Sequence, residues 1–265
     1  MKAMQRAWAI ALNTFREAAR IRVLYGILVM VVGANLLALV MSQMALRDGA
    51  RVARDVGLAG ISLFGSLTAI FLGVFLLYSE VQRRTIHGIV SKPIERWEFV
   101  VGKYLGMALV LSLLVGVFAV AMVAQLAFQG VDISSAVLKA TVLSWFEVLT
   151  VAAVAIFFSS FSSPFLSGLF SLMIFALGRV TPDILAAAER AQSPTLRGVA
   201  KAALYVVPDL HLYSVSGRTL DGVSISVHAD FVTWGFVGGA VGQGVLWIVG
   251  LVALASAIFA RRDFV

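Results

Sequence analysis

Glu147 is the one acid set deep inside an apolar stretch of this 265-residue chain, between Phe146 and Val148. A carboxylate removed from water is costly unless it is paired or faces a polar path. Two cations are candidates for the pairing: Lys139, earlier in the same stretch, and Arg179, at the end of the next one. Glu147 therefore belongs either to a buried ion pair or to the polar lining of a substrate path. Other chemistry is sparse. Asp209-x-His211 and His228-x-Asp230 have spacings that metal ligands share with ordinary surface residues, so no metal site is assigned. Gly102-Lys103 is followed by Tyr104, and Trp97 stands where a phosphate-binding loop needs its first glycine, so G-x-x-x-x-G-K-[ST] is absent. H-E-x-x-H and G-x-S-x-G are absent too. The chain has no cysteine, which excludes disulfides, iron–sulfur clusters and thiolate zinc sites. An enzyme is not expected, and neither is a cofactor bound by this chain.

The elements that would position Glu147 are membrane spans. Hydrophobic residues make up 60% of the chain and charged residues only 13%, against about half and about a quarter in soluble domains. The mean hydropathy is +0.96. A bilayer core of about 30 Å takes about 20 helical residues. Six stretches meet or approach that length: Val23–Leu46, Val56–Ser79, Tyr104–Phe128, Val137–Phe158, Pro164–Val180 and Phe231–Ala260. The expectation is an all-α polytopic membrane protein of six transmembrane helices, forming a single domain over residues 1–265. The net charge of +7 then reads as topology rather than as nucleic-acid binding. The N-terminal tail (Lys2, Arg6, Arg16, Arg20, Arg22), the loop between the second and third spans (Arg83, Arg84, Lys92, Arg96, Lys103) and the C-terminal Arg261 and Arg262 hold more than half of the 21 lysines and arginines. The positive-inside rule places these segments, and both termini, in the cytoplasm.

Residues 1–22 form a separate element. At 100° per residue, Lys2, Arg6, Asn13, Arg16 and Arg20 share an arc of about 80°, with Met4, Trp8, Ala11 and Phe15 opposite. That is an amphipathic helix suited to lying in the headgroup layer. It also argues against a cleaved leader. Residues 181–230, punctuated by Pro182, Pro194 and Pro208, are too apolar for a linker; short external helices on or in the outer leaflet are expected. The last span carries G-x-x-x-G at Gly235/Gly239 and Gly238/Gly242, which suits close helix contact within the bundle or with a second subunit.

The loop over residues 80–103 is longer than a simple connector needs. Ile86, Ile89 and Val90 have helical spacing. Pro93 suits the first turn of a second helix, continued by Trp97, Val100 and Val101. Glu80 with Thr85, then Ser91-Lys92-Pro93-Ile94-x-Arg96, then Glu98-Phe99-Val100-Val101-Gly102-Lys103 resembles the signature of the type 2 ABC-transporter permeases. Phe259-Ala260-Arg261-Arg262-Asp263-Phe264 after the last span, the basic first helix and the turn at Val207-Pro208-Asp209-Leu210 resemble the same family. Arg84 stands where that family often has glycine.

The resemblance implies a permease subunit of a bacterial ABC exporter in the cytoplasmic (inner) membrane. It would pair with a second permease subunit, alike or different, and with two copies of an ABC ATPase that bind ATP and Mg. Its loop would couple to that ATPase through Glu80, Arg83, Arg84, Thr85, Pro93 and Glu98. Membrane lipid is the remaining partner; nucleic acid is not one. The alternative is an ion-driven transporter or channel, which would place several ionisable residues at mid-membrane depth.

Overall fold

The computed structural model describes residues 3–20, 22–44, 49–82, 95–130, 135–190, 195, 198, 207–214, 219–220, 223–224 and 232–261. It is an all-α membrane protein. In chain order the helices are α1 (Ala3–Ala19), α2 (Arg22–Met44), α3 (Gly49–Gln82), α4 (Arg96–Phe128), α5 (Ser135–Ser159), α6 (Pro164–Arg179), α7 (Thr181–Arg190) and α8 (Trp234–Arg261), with a 3₁₀ turn at Leu210–Tyr213.

Four stretches among the described residues are long and apolar enough to cross a membrane: Val52–Leu76 of α3, α4, α5 and α8. A fifth is the pair α6 and α7, bent by 65° at Arg179–Thr181. The expected count of six is not confirmed among the described residues, although α2 is itself an apolar helix of 23 residues. The described apolar stretch of α2 covers only Val32–Met44. And α6, at 16 residues, rises only about 24 Å, so it needs α7 to complete a crossing.

Among the described residues there is also a short strand pair, with Thr219 opposite Ser224 and Leu220 opposite Val223. The sequence between the strands, Asp221-Gly222, is a favoured dipeptide of two-residue hairpin turns.

Helix ends follow local sequence. Gly130 takes the left-handed conformation (φ 69°) just beyond α4, where a Cβ would be strained. Ser163 precedes α6 and Pro164 occupies its first turn, where the missing N–H costs no hydrogen bond.

Helix α5 is the centre of the bundle. The run from Val151 to Ile156 is almost wholly buried, and α5 packs on α3, α4, α6 and α8. On α3, a Cβ at Gly65 would come within 2.6 Å of Val148, and one at Gly73 within 2.6 Å of Ala155. These glycines let α3 and α5 approach backbone to backbone. Between α4 and α5, Trp145 Nε1 donates to Ser112 Oγ at 2.9 Å and Tyr104 OH to the Leu149 carbonyl at 3.3 Å.

Helix α4 is 33 residues long, about 50 Å, and so outreaches a bilayer core of about 30 Å. Its first turns receive α1. The contact stripe on α1 is Ala7, Ala11, Thr14 and Ala18, all buried; a Cβ at Gly102 would meet Ile10 and Ala7, and one at Gly106 would meet Ala11 and Thr14. Met4, Trp8 and Leu12 remain exposed. The sequence groups Ala11 and Phe15 with Met4 and Trp8 as one apolar face. The structure divides that face, because close helix contact selects the smallest side chains rather than the most apolar ones.

Candidate functional site

Glu147 is the middle residue of α5, about 18 Å from either end at 1.5 Å per residue. It is fully buried. Its Oε1 accepts from Arg179 Nη1 at 2.8 Å, and its Oε2 accepts from Ser62 Oγ at 2.7 Å. Ser62 Oγ in turn accepts from Arg179 Nη1 at 2.5 Å. The result is a closed triangle joining α3, α5 and α6. The Gly65 and Gly73 contacts place it: only a short distance between α3 and α5 lets a serine reach the carboxylate. The length of α6 sets the third corner, because about 24 Å of rise brings Arg179 level with the middle of α5. Of the two candidate cations, Arg179 makes the pair. Lys139 is buried and lies over the Trp234 ring, 5.5 Å from its centroid.

A small cleft of about 30 Å³ opens beside the triangle, at the break between α6 and α7. Leu58, Ala59, Ser62, Ala140, Ser144, Glu147, Arg179, Tyr213 and Ser214 line it. Its roof is the segment around the 3₁₀ turn. A Cβ at Gly178 would meet the Pro208 carbonyl and Leu210; a Cβ at Gly244 would meet the Tyr213 hydroxyl. So two glycines, one on α6 and one on α8, seat the turn. Tyr213 OH donates to the Ala240 carbonyl at 3.2 Å. The Asp209 carboxylate caps the turn, accepting from the His211 backbone N–H at 3.1 Å. Burial pushes the Asp209 pKa above the usual carboxylate range, opposed by that hydrogen bond and by His211.

The second concentration of charge lies at the end of the bundle where α4 begins. Glu98 is fully buried beneath α1, its Oε1 3.0 Å from Arg6 Nη2. Lys103, also buried, donates to Glu17 Oε2 at 3.2 Å. Arg96 donates to the Ala260 carbonyl at 3.1 Å and the Phe259 carbonyl at 3.5 Å, satisfying the last turn of α8. Phe99 stacks on Phe259 with ring centroids 5.7 Å apart. The first turns of α4 thus tie α1 and the end of α8 into one unit.

The loop residues of the sequence reading fare unequally. Glu98 sits inside this unit, facing α1. Glu80 lies near the end of α3, and its side chain is outside the described residues, as are Arg83, Arg84, Thr85 and Pro93.

Sequence reasoning passed over Ser62, Ser144 and Tyr213, and read Arg96 only as part of the loop signature. The signal for Ser62 was weak, a hydroxyl among many in apolar helices. Tyr213 had a better one: it closes the Pro208–Tyr213 turn, whose alternating apolar residues mark it as buried. Among the described residues no group of three or more His, Asp or Glu is placed to hold a metal ion.

A protein-family model described as ABC-2 family transporter protein matches residues 8–264. No curated protein matches the chain.

Proposed function

The chain belongs to the ABC-2 transporter family, and on that premise we propose that it is the membrane-spanning subunit of an ATP-driven exporter whose ATP is hydrolysed by a separate subunit. The chain lacks a phosphate-binding loop, so the nucleotide chemistry falls to a partner. In this reading the bundle end that carries α1, the start of α4 and the end of α8 faces the cytoplasm of a bacterial cell, where the basic residues concentrate. The exposed Met4, Trp8 and Leu12 of α1 lie in the lipid there. Two permease chains pair, and two ATPase copies dock on the segment around residues 80–103.

The observation that carries the reading is the unbroken run of α4 from Arg96 to Phe128. A displacement delivered just before Arg96 moves a stiff rod. That rod is fixed to α1 and α8 at one end and packed against α5 beyond. Transport then follows from different contacts with substrate in the two positions of the bundle.

Co-purification in mild detergent from cells that also express the neighbouring genes tests this. Recovery of an ATPase subunit is expected. Charge reversal at Glu80 or Arg84 is expected to abolish ATPase stimulation with the elution profile unchanged; wild-type stimulation in both variants removes the coupling role. One observation favours a second reading, an ion-driven transporter: the bent α6–α7 pair at the level of Glu147. Uptake or efflux in vesicles that follows a proton gradient without ATP would select it.

A further inference from the structure

We propose that the cleft at the α6–α7 break is a subsite for an uncharged, hydrogen-bond-accepting head (hydroxyl or carbonyl oxygens) of an amphipathic molecule, held by the free edge of Arg179 and the Ser144 hydroxyl. The inference rests on the transporter reading and names the substrate class of this cleft.

The first support is the donor inventory. Arg179 lines the cleft with 29% of its side chain accessible. Only its Nη1 has partners among the described residues, namely Glu147 and Ser62. A guanidinium carries five N–H donors in a fixed fork, so Nε and Nη2 are left for an occupant, held in place by the anchored prong. Ser144, on the cleft wall, makes no hydrogen bond to the described residues and adds a hydroxyl.

The second support is charge. Glu147 is fully buried, and both its oxygens are engaged. It neutralises Arg179 while offering the occupant no acceptor. An anionic head would leave one uncompensated charge at mid-membrane depth, and a cationic head would meet the guanidinium, so both are disfavoured there. An uncharged acceptor satisfies the free donors and leaves the site neutral.

The third support is shape. At about 30 Å³ the cleft has room for one or two water-sized groups, so it suits the hydroxyl or carbonyl oxygens of a head rather than a whole substrate. Beside Arg179, α6 exposes Leu169, Leu172, Met173 and Leu177, a surface along which an apolar tail can lie.

The absence of native cysteine gives a clean test. The full chain carrying Ser214→Cys, a cleft residue outside the proposed donors, is placed in phosphatidylcholine nanodiscs and its labelling by a maleimide is timed. The probes are octyl glucoside, octyl phosphate and octylammonium, which share one tail, and free glucose, all below micellar concentrations. Octyl glucoside at about ten times its Kd is expected to slow labelling about tenfold, following 1 + [L]/Kd, with little effect from the two charged heads. Equal protection by glucose would support a head site that needs no tail. Equal protection by all three octyl compounds, or the strongest protection by octyl phosphate, overturns the proposal.

Ser144→Ala is expected to reduce the protection, and Arg179→Gln with Glu147→Gln to abolish it. The paired change avoids leaving one buried charge alone, so a monodisperse elution profile is expected for it. Undiminished protection in both variants also overturns the assignment. The assay needs neither nucleotide nor ATPase, so its failure is separable from failure of the exporter reading.

Discussion

Glu98 and Glu147 are both fully buried, with an arginine nitrogen 3.0 Å and 2.8 Å away and that arginine 30% and 29% accessible. The likeness ends at the second contact. Glu147 has both oxygens hydrogen-bonded, one by a serine from a third helix. Neither Glu98 oxygen accepts a well-aligned hydrogen bond from the described residues. Instead it lies in the first turn of α4, where the helix N-terminus favours negative charge. One carboxylate is fixed by short directional bonds in the middle of the membrane. The other is held by softer, longer-ranged attraction at the end of the bundle. The difference suits a molecule that must keep three helices in register at mid-depth while α1 and the start of α4 move as one unit at the border.

Breaking the locked pair should cost most. Arg179→Ala leaves Glu147 alone at mid-membrane depth and is expected to destabilise the chain by about 3–5 kcal/mol, read from thermal unfolding in detergent. Glu147→Leu with Arg179→Met should recover most of that loss, because apolar replacement of both partners is often neutral; no recovery would mean that the triangle is not the source of the effect. Gly65→Leu drives a side chain into Val148, and overpacking of this kind costs about 1–3 kcal/mol, with the Ser62–Glu147 bond stretched as a consequence. Ser62→Ala removes one bond to a charged group and should cost about 2 kcal/mol. The smallest effect is expected at the soft end. Glu98→Gln leaves Arg6, which is partly accessible and keeps its own solvation, so the loss should stay near about 1 kcal/mol. A cost at Glu98 equal to that at Arg179 would erase the distinction between the two sites.

Much of this was legible in the sequence because membranes make few demands and make them strictly. Long uncharged runs such as 104–128 must be helices, since every backbone polar group has to be satisfied internally. Glu147 announced itself by the same cost. Its partner was also within reach of arithmetic: Lys139 lies eight residues earlier on the same helix, about 12 Å along the axis, beyond the three- and four-residue spacings at which side chains meet. Three features were hidden. The 65° bend after Arg179 has no proline or glycine pair at its apex, only Pro182 just beyond. The packing face of α1 runs through alanines that hydropathy ranks below Trp8 and Met4. Arg96 was legible as part of the loop signature, but its role at the Ala260 carbonyl depends on residues 164 apart in sequence meeting at one end of the bundle.

The proposed function requires the bundle end carrying α1, the start of α4 and the end of α8 to face the cytoplasm, with residues 83–94 available to an energy-supplying partner. A cysteine introduced at Arg84 in this otherwise cysteine-free chain should resist a membrane-impermeant maleimide in intact cells and react in inverted vesicles. Labelling from outside intact cells would rule out that orientation and, with it, the docking of an ATPase at this end.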